Sequence, residues 1–211
     1  MDTFIQLSFL SHHGIKGMKW GVRRYQNKDG SLTEEGKLRL NLKNIDNTFS
    51  KGLVVSRVST KPYEPVLDFR KYVSLQNKSE DKWINLYKNY YGYAWEHIYE
   101  TTKDIKVSSI KTNINAYKKL VRDDPGFLEL AKAAAEEHRK QTGISASGDD
   151  MNDFFKSLAV PTEGSKKYMN YMNMKYDAIA DKFGIESGGN RSVIILEPHK
   201  TLQFKKAILR R

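Results

Sequence analysis

The sequence predicts an α+β fold preceded by a small basic arm. Three observations carry that reading. β-branched runs stand near both ends of the main body, helical spacing fills its middle, and residues 1–44 show neither pattern. With 211 residues, 39% of them hydrophobic and 11% aromatic, the chain can bury a core.

The arm, residues 1–44, carries WGVRRYQ and SL as short extended pieces around an Asp29-Gly30 turn, then Thr33 as a cap ahead of Glu34 and Glu35. Its cations, Lys16, Lys19, Arg23, Arg24, Lys28, Lys37, Arg39 and Lys43, outnumber Asp2, Asp29, Glu34 and Glu35. Its apolar residues are too few for a core, so the main domain is read as residues 45–211. A chain beginning near Lys51 is expected to fold without the arm.

In the domain, LVVSRVST reads as a strand broken at Pro62 and Pro65, and RKYVSLQ as a second. Ser79 opens a helix whose apolar set is Trp83, Tyr87, Tyr90, Tyr91, Ala94, Trp95 and Ile98. IYETTKDIKVSS returns to strand. Ile110, Ile114, Tyr117 and Val121 mark a helix stopped before Pro125, and the next runs from Asp124-Pro125 to Gly143. DDMNDFFKSLAV and EGSKKYMNYMNM read as two short helices. YDAIADKFGI, SVIILEP and TLQFKKAIL are strand-like.

The formal charge is +11, from 36 basic and 25 acidic residues, which makes nucleic acid a candidate partner. Cysteine is absent, excluding thiol nucleophiles and cysteine metal sites. No segment approaches the roughly 20 apolar residues of a membrane span, so no membrane partner is expected. His12-His13 has no third ligand nearby, and no metal site is expected. P-loop, dinucleotide and hydrolase-elbow strings are missing. The aromatic helix could stack bases, but its spacing reads first as core.

Three features remain. Arg57 sits in mid-strand, where a charge on a buried face needs a partner or a ligand. Ser74 is a small polar residue flanked by apolar strand positions. Asp177, Asp181, Glu186 and Glu197 surround the two late strands.

The segment HHGIKGMKWGVRRYQNKDGSLTEEGK resembles a module attached at chain ends of head-associated and other virion proteins of tailed phages and prophages. The resemblance implies a virion protein, present in the host cytoplasm during assembly or after ejection, whose arm binds other virion proteins. Trp20, Arg23 and Arg24 are the expected anchors, since aromatic and arginine side chains dominate interfaces. More loosely, residues 52–208 resemble ADP-ribosyltransferase-like domains, through Arg57 in VVSRVS, Tyr72 and Ser74 in KYVSL, Tyr87, and Tyr176 to Ile179 followed by Val193 to Leu196. That resemblance implies a split β-sandwich with a helical insert, NAD as substrate and a host or phage macromolecule as target. Arg57 would hold the NAD phosphates or ribose and Ser74 would support the strand. Tyr72 or Tyr87 would stack on nicotinamide, and Asp181 or Glu197 would act on the ribose. The sequence departs from the family at Ser192, where active members place a glutamate. Two alternatives stand beside the transferase: a structural docking platform, and a basic nucleic-acid-binding protein.

Overall fold

The structure is a computed structural model, described here for residues 42–67, 71–75, 81–158, 160–182, 185 and 192–211. The expected anchors Trp20, Arg23 and Arg24, the Asp29-Gly30 turn, the Thr33 cap, and Glu186 lie outside the described residues. The chain divides into two units, Met1–Lys37 and Leu38–Arg211. The second is α+β, as the sequence predicts.

Eight strands form one mixed sheet: β1 (Asn47–Phe49), β2 (Val54–Ser59), β3 (Lys71–Ser74), β4 (Ala94–Thr101), β5 (Ile105–Ser108), β6 (Ala178–Ala180), β7 (Ser192–Ile195) and β8 (Leu202–Arg210). Their order is β1-β5-β6-β7-β3-β2-β4-β8, and only the β5–β6 pair is parallel. Between them run α1 (Asp81–Tyr91), α2 (Ile110–Asp123), α3 (Phe127–Thr142), α4 (Asp150–Ser157), α5 (Glu163–Asn173) and α6 (Pro198–Thr201). A turn over residues 102–104 joins β4 to β5, yet four strands separate them in the sheet. The sheet therefore curls. Val55 and Tyr99 from one half share a core with Ile105, Val107 and Ala178 from the other, on the concave face.

The opposite face is covered by α2 to α5. Tyr117, Leu120, Phe127, Ala131, Phe154 and Tyr168 pack there on Ile179 and Ile194 of the sheet. Three of these four helices begin where a side chain satisfies free N–H groups: Ser109 Oγ accepts from Thr112 N, Asp149 from Met151 and Asn152 N, and Thr162 and Ser165 form a capping box. Gly143, at φ 69°, closes α3 in the left-handed conformation. All four residues of β7 are buried, as expected of a strand covered on both sides.

Two expectations need correction. The first aromatic helix does not reach Ile98. It ends at Tyr91, Gly92 takes φ 76°, and Ala94, Trp95 and Ile98 belong to β4. Helical spacing and strand alternation overlap there, and the glycine breaks the tie. Its aromatics are also less buried than a core reading implies. Ile84 and Tyr87 pack on Val58 and Ala94, while Trp83 (39%), Tyr90 (76%) and Tyr91 (59%) keep large exposed areas.

The arm boundary also moves. Leu42 is fully buried in the concave-face core. Asp46 accepts hydrogen bonds from Ser109 N (2.8 Å), Thr112 Oγ1 (2.7 Å) and the Tyr176 hydroxyl (2.7 Å). Burial is the largest single effect on the Asp46 carboxyl and pushes its pKa up, but these bonds together outweigh it and hold the group below its ordinary range. β1 pairs with β5. A chain starting at Lys51 would lose all three features.

Candidate functional site

Strand alternation decides where the candidate side chains point. In β2, Ser56 stands opposite Ser74 of β3, which stands opposite Ser192 of β7. Arg57 faces the other way, in register with His97 of β4. Val55 and Val73 lie in the concave core, whereas Val58 and Tyr72 pack with the helices on the convex face. Arg57 therefore lies on the concave face, and Tyr72 and Ser74 on the convex one.

On the convex face, Tyr72 is half-buried against the helix layer. Burial first, and then the negative charge of Asp181, push its hydroxyl pKa well above the ordinary value. Asp181 follows β6, and its backbone N–H donates to Ser192 O at 3.0 Å. Tyr72, Ser74, Asp181 and Ser192 thus gather at one end of this face. Tyr87 sits farther along it on α1, its ring 5.8 Å from that of Tyr91. Glu197 lies past the opposite end of β7 from Ser192. It receives Lys200 Nζ at 2.6 Å, and that bond chiefly lowers its pKa. Glu197 and Asp181 are not brought together.

The concave face holds a different cluster. Arg57 Nη1 donates to the Tyr72 carbonyl at 3.1 Å, and Arg57 Nε stands 3.6 Å from Glu64 Oε2. The Tyr99 hydroxyl donates to the Glu64 carbonyl at 2.6 Å. His97 is fully buried, its ring clustered with those of Tyr99 and Phe204. Burial pulls its pKa below 6.5. Arg57 adds to that effect, while Glu64 and the Lys61 and Arg57 carbonyls oppose it.

Sequence reasoning singled out Arg57 but not its neighbours. Glu64 sits in a turn between Pro62 and Pro65, and His97 is an isolated histidine in an apolar strand. No linear pattern joins them. Only the β2–β4 register and the path of residues 60–67 do.

Among the described residues no group of three His, Asp or Glu could hold a metal, and no helix is long and apolar enough to cross a membrane. A family of unknown function, DUF7211, matches residues 7–27, within the basic arm. No curated protein and no solved structure matches the chain.

Proposed function

We propose that this chain is a virion-associated protein of a tailed phage or prophage. Its basic arm binds other virion proteins, and its ADP-ribosyltransferase-like domain serves as a docking platform. One observation carries the domain reading: the strands that share the family's pattern lie side by side, in the order β6-β7-β3-β2. The curl of the sheet, with a helical insert between β5 and β6, is in keeping with a split β-sandwich.

The platform reading is preferred to a transferase because the residues that the resemblance assigns to NAD are not gathered on one face of the sheet. The Arg57 guanidinium is engaged by the Tyr72 carbonyl and Glu64, on the opposite face from Ser74. Glu197 is held by Lys200, and Ser192 offers no carboxylate. Placing Tyr72, Ser74 and Asp181 at one end of the convex face is what favours the enzyme as the second reading.

Calorimetry with NAD, followed by a turnover assay, separates the two. The platform reading expects no binding and no release of nicotinamide. NAD binding that Arg57→Ala abolishes and Glu197→Gln leaves intact would restore the transferase. Mass spectrometry of purified particles tests the location. Wild-type chain should be incorporated, and a Trp20, Arg23 and Arg24 triple-alanine variant should be lost. Equal incorporation of both would refute the arm's role.

A further inference from the structure

α1 carries more apolar surface than its packing uses. Trp83, Leu86, Tyr87, Tyr90 and Tyr91 fall at i, i+3, i+4, i+7 and i+8, which makes one broad stripe along a helix. Only the inner margin of that stripe meets the sheet, where Ile84 and Tyr87 pack on Val58 and Ala94. Trp83, Leu86, Tyr90 and Tyr91 stay exposed, and so does Tyr93 beyond Gly92. Five of the ten large hydrophobic side chains exposed among the described residues therefore stand within eleven positions, a concentration that marks an interaction site and not scattered exposure. The rings of Tyr87 and Tyr91 are 5.8 Å apart and tilted by 41°, and those of Tyr90 and Tyr91 are 6.4 Å apart and tilted by 50°. Neither pair is stacked, so the rings do not cover one another's faces.

The charges around this stripe are positive. Lys88 stands three residues before Tyr91 on the same helix, where the two side chains are neighbours. Next to β4, on which α1 rests, runs β8, with Arg210 opposite Ala94 and Lys206 opposite Ile98. Ala94 lies on the convex face under α1, and strand alternation puts Ile98, Lys206 and Arg210 on that face too. β8 and Arg211 together hold four cations and no acid. The nearby carboxylates of β4 are already matched, Glu96 by Arg210 and Glu100 by Lys205. Lys88, Lys206 and Arg211 form no ion pair among the described residues.

Flat aromatic faces bordered by unmatched cations are the two components of a sequence-tolerant site for single strands, in which bases stack on the rings and phosphates meet the charges. We propose that the exposed face of α1, with Tyr93 and the cations of β8, binds single-stranded nucleic acid. The other occupants fit less well. A second copy of the chain would set these same cations against one another. A duplex keeps its bases stacked inside, out of reach of the rings. From Trp83 to Tyr90 the stripe runs about 10 Å, long enough for successive bases of one strand. The site uses no residue of the basic arm and does not depend on the virion reading.

Fluorescence anisotropy with labelled oligothymidylate and oligouridylate, added to the full chain, tests the site. Both strands should bind. Tyr90→Ala should weaken that binding by at least about fivefold, while any affinity for a duplex, to which the arm's cations also contribute, stays unchanged. Tyr90→Phe keeps the ring and should remain within about twofold of the wild type. Tyr90 is exposed enough that neither change threatens the fold. Lys206→Gln should flatten the slope of log affinity against log salt by about 0.7, the share of one phosphate contact. Met174→Ala, at an exposed position after α5, should change nothing. The proposal is overturned if the wild type binds neither strand, if Tyr90→Ala leaves the affinity unchanged, or if Tyr90→Phe loses as much as Tyr90→Ala. It is also overturned if sedimentation velocity shows Tyr90→Ala dispersing a self-associated wild type while strand affinity holds, which would assign the face to a second copy.

Discussion

Gly164, the second residue of α5, lies close against the backbone of α3. A methyl group placed there would stand 2.3 Å from the Leu130 carbonyl oxygen, 2.7 Å from its carbon and 3.2 Å from Ala131 N. Those atoms are helix backbone, not the end of a flexible side chain. Reaching ordinary contact would require α3 and α5 to separate by about 1 Å, in a layer where Ala131, Ala134, Phe154 and Tyr168 are almost wholly buried. Overpacking costs about 1–3 kcal/mol, and a 2.3 Å approach to helix backbone belongs in the upper part of that range, about 2–3 kcal/mol; alanine's better helix propensity returns about 1 kcal/mol. We expect Gly164→Ala to destabilise the domain by about 1–2 kcal/mol. The melting midpoint should fall by roughly 2–8 °C. Urea titrations followed by far-UV circular dichroism would measure it, with an unchanged slope showing that only stability has moved. Gly126→Ala is the control. Its added methyl meets only Asp124 Oδ1 at 3.8 Å, and φ is −80°, so the change should stay within about 0.5 kcal/mol. A neutral or stabilising Gly164→Ala would refute the close approach of α5 to the α3 backbone.

The Glu96–Arg210 pair makes an asymmetric prediction. Arg210 Nε and Nη2 lie 3.0 and 2.6 Å from Glu96 Oε2, and the glutamate side chain is fully buried while the arginine is 35% exposed. Arg210→Met removes two charge-assisted hydrogen bonds from a buried carboxylate and should cost about 1.5–3 kcal/mol, whereas Glu96→Gln leaves a cation that water can reach and should cost about half as much; equal costs by chemical denaturation would contradict the burial. Truncation tests the domain boundary. A chain beginning at Leu38 should keep the full domain's unfolding midpoint. One beginning at Lys51 loses Leu42, Asp46 and β1 and should be less stable by at least about 2–5 kcal/mol, the cost of the leucine alone. Equal midpoints would place those residues outside the folding unit.

Much of the local structure was legible in the sequence because it depends on near neighbours. The β-branched run around Arg57 gave β2. The spacing of Ile110, Ile114 and Tyr117 gave α2, and Gly143 marked the end of α3. Burial on one side of an element leaves a period in the sequence, and a cap or a left-handed glycine is a local event. The ambiguous stretch was Ala94 to Ile98, where aromatic spacing fits helix and strand alike; Gly92 ends the helix before it, and pairing with β2 and with β8 at the far end of the chain holds it as strand. β1 escaped notice for the same reason, since its three residues are a strand only because β5 lies beside them.

The sequence by itself determined the fold class, the positive charge, the lack of thiol chemistry, and the presence of Arg57, Tyr72 and Ser74 on successive strands. Tertiary structure alone decided which of them share a face. Arg57 and Ser74 have sheet-facing directions set by the Ser56–Ser74 and Arg57–His97 registers, and a shift of one residue in either would reverse the outcome. Glu64 reaches Arg57 only because residues 60–67 cross the concave face, and His97 lies beneath them only because β4 pairs with β2. Pairing register and chain path are long-range properties. A one-dimensional pattern names the side chains that can do chemistry, but the sheet decides which of them meet.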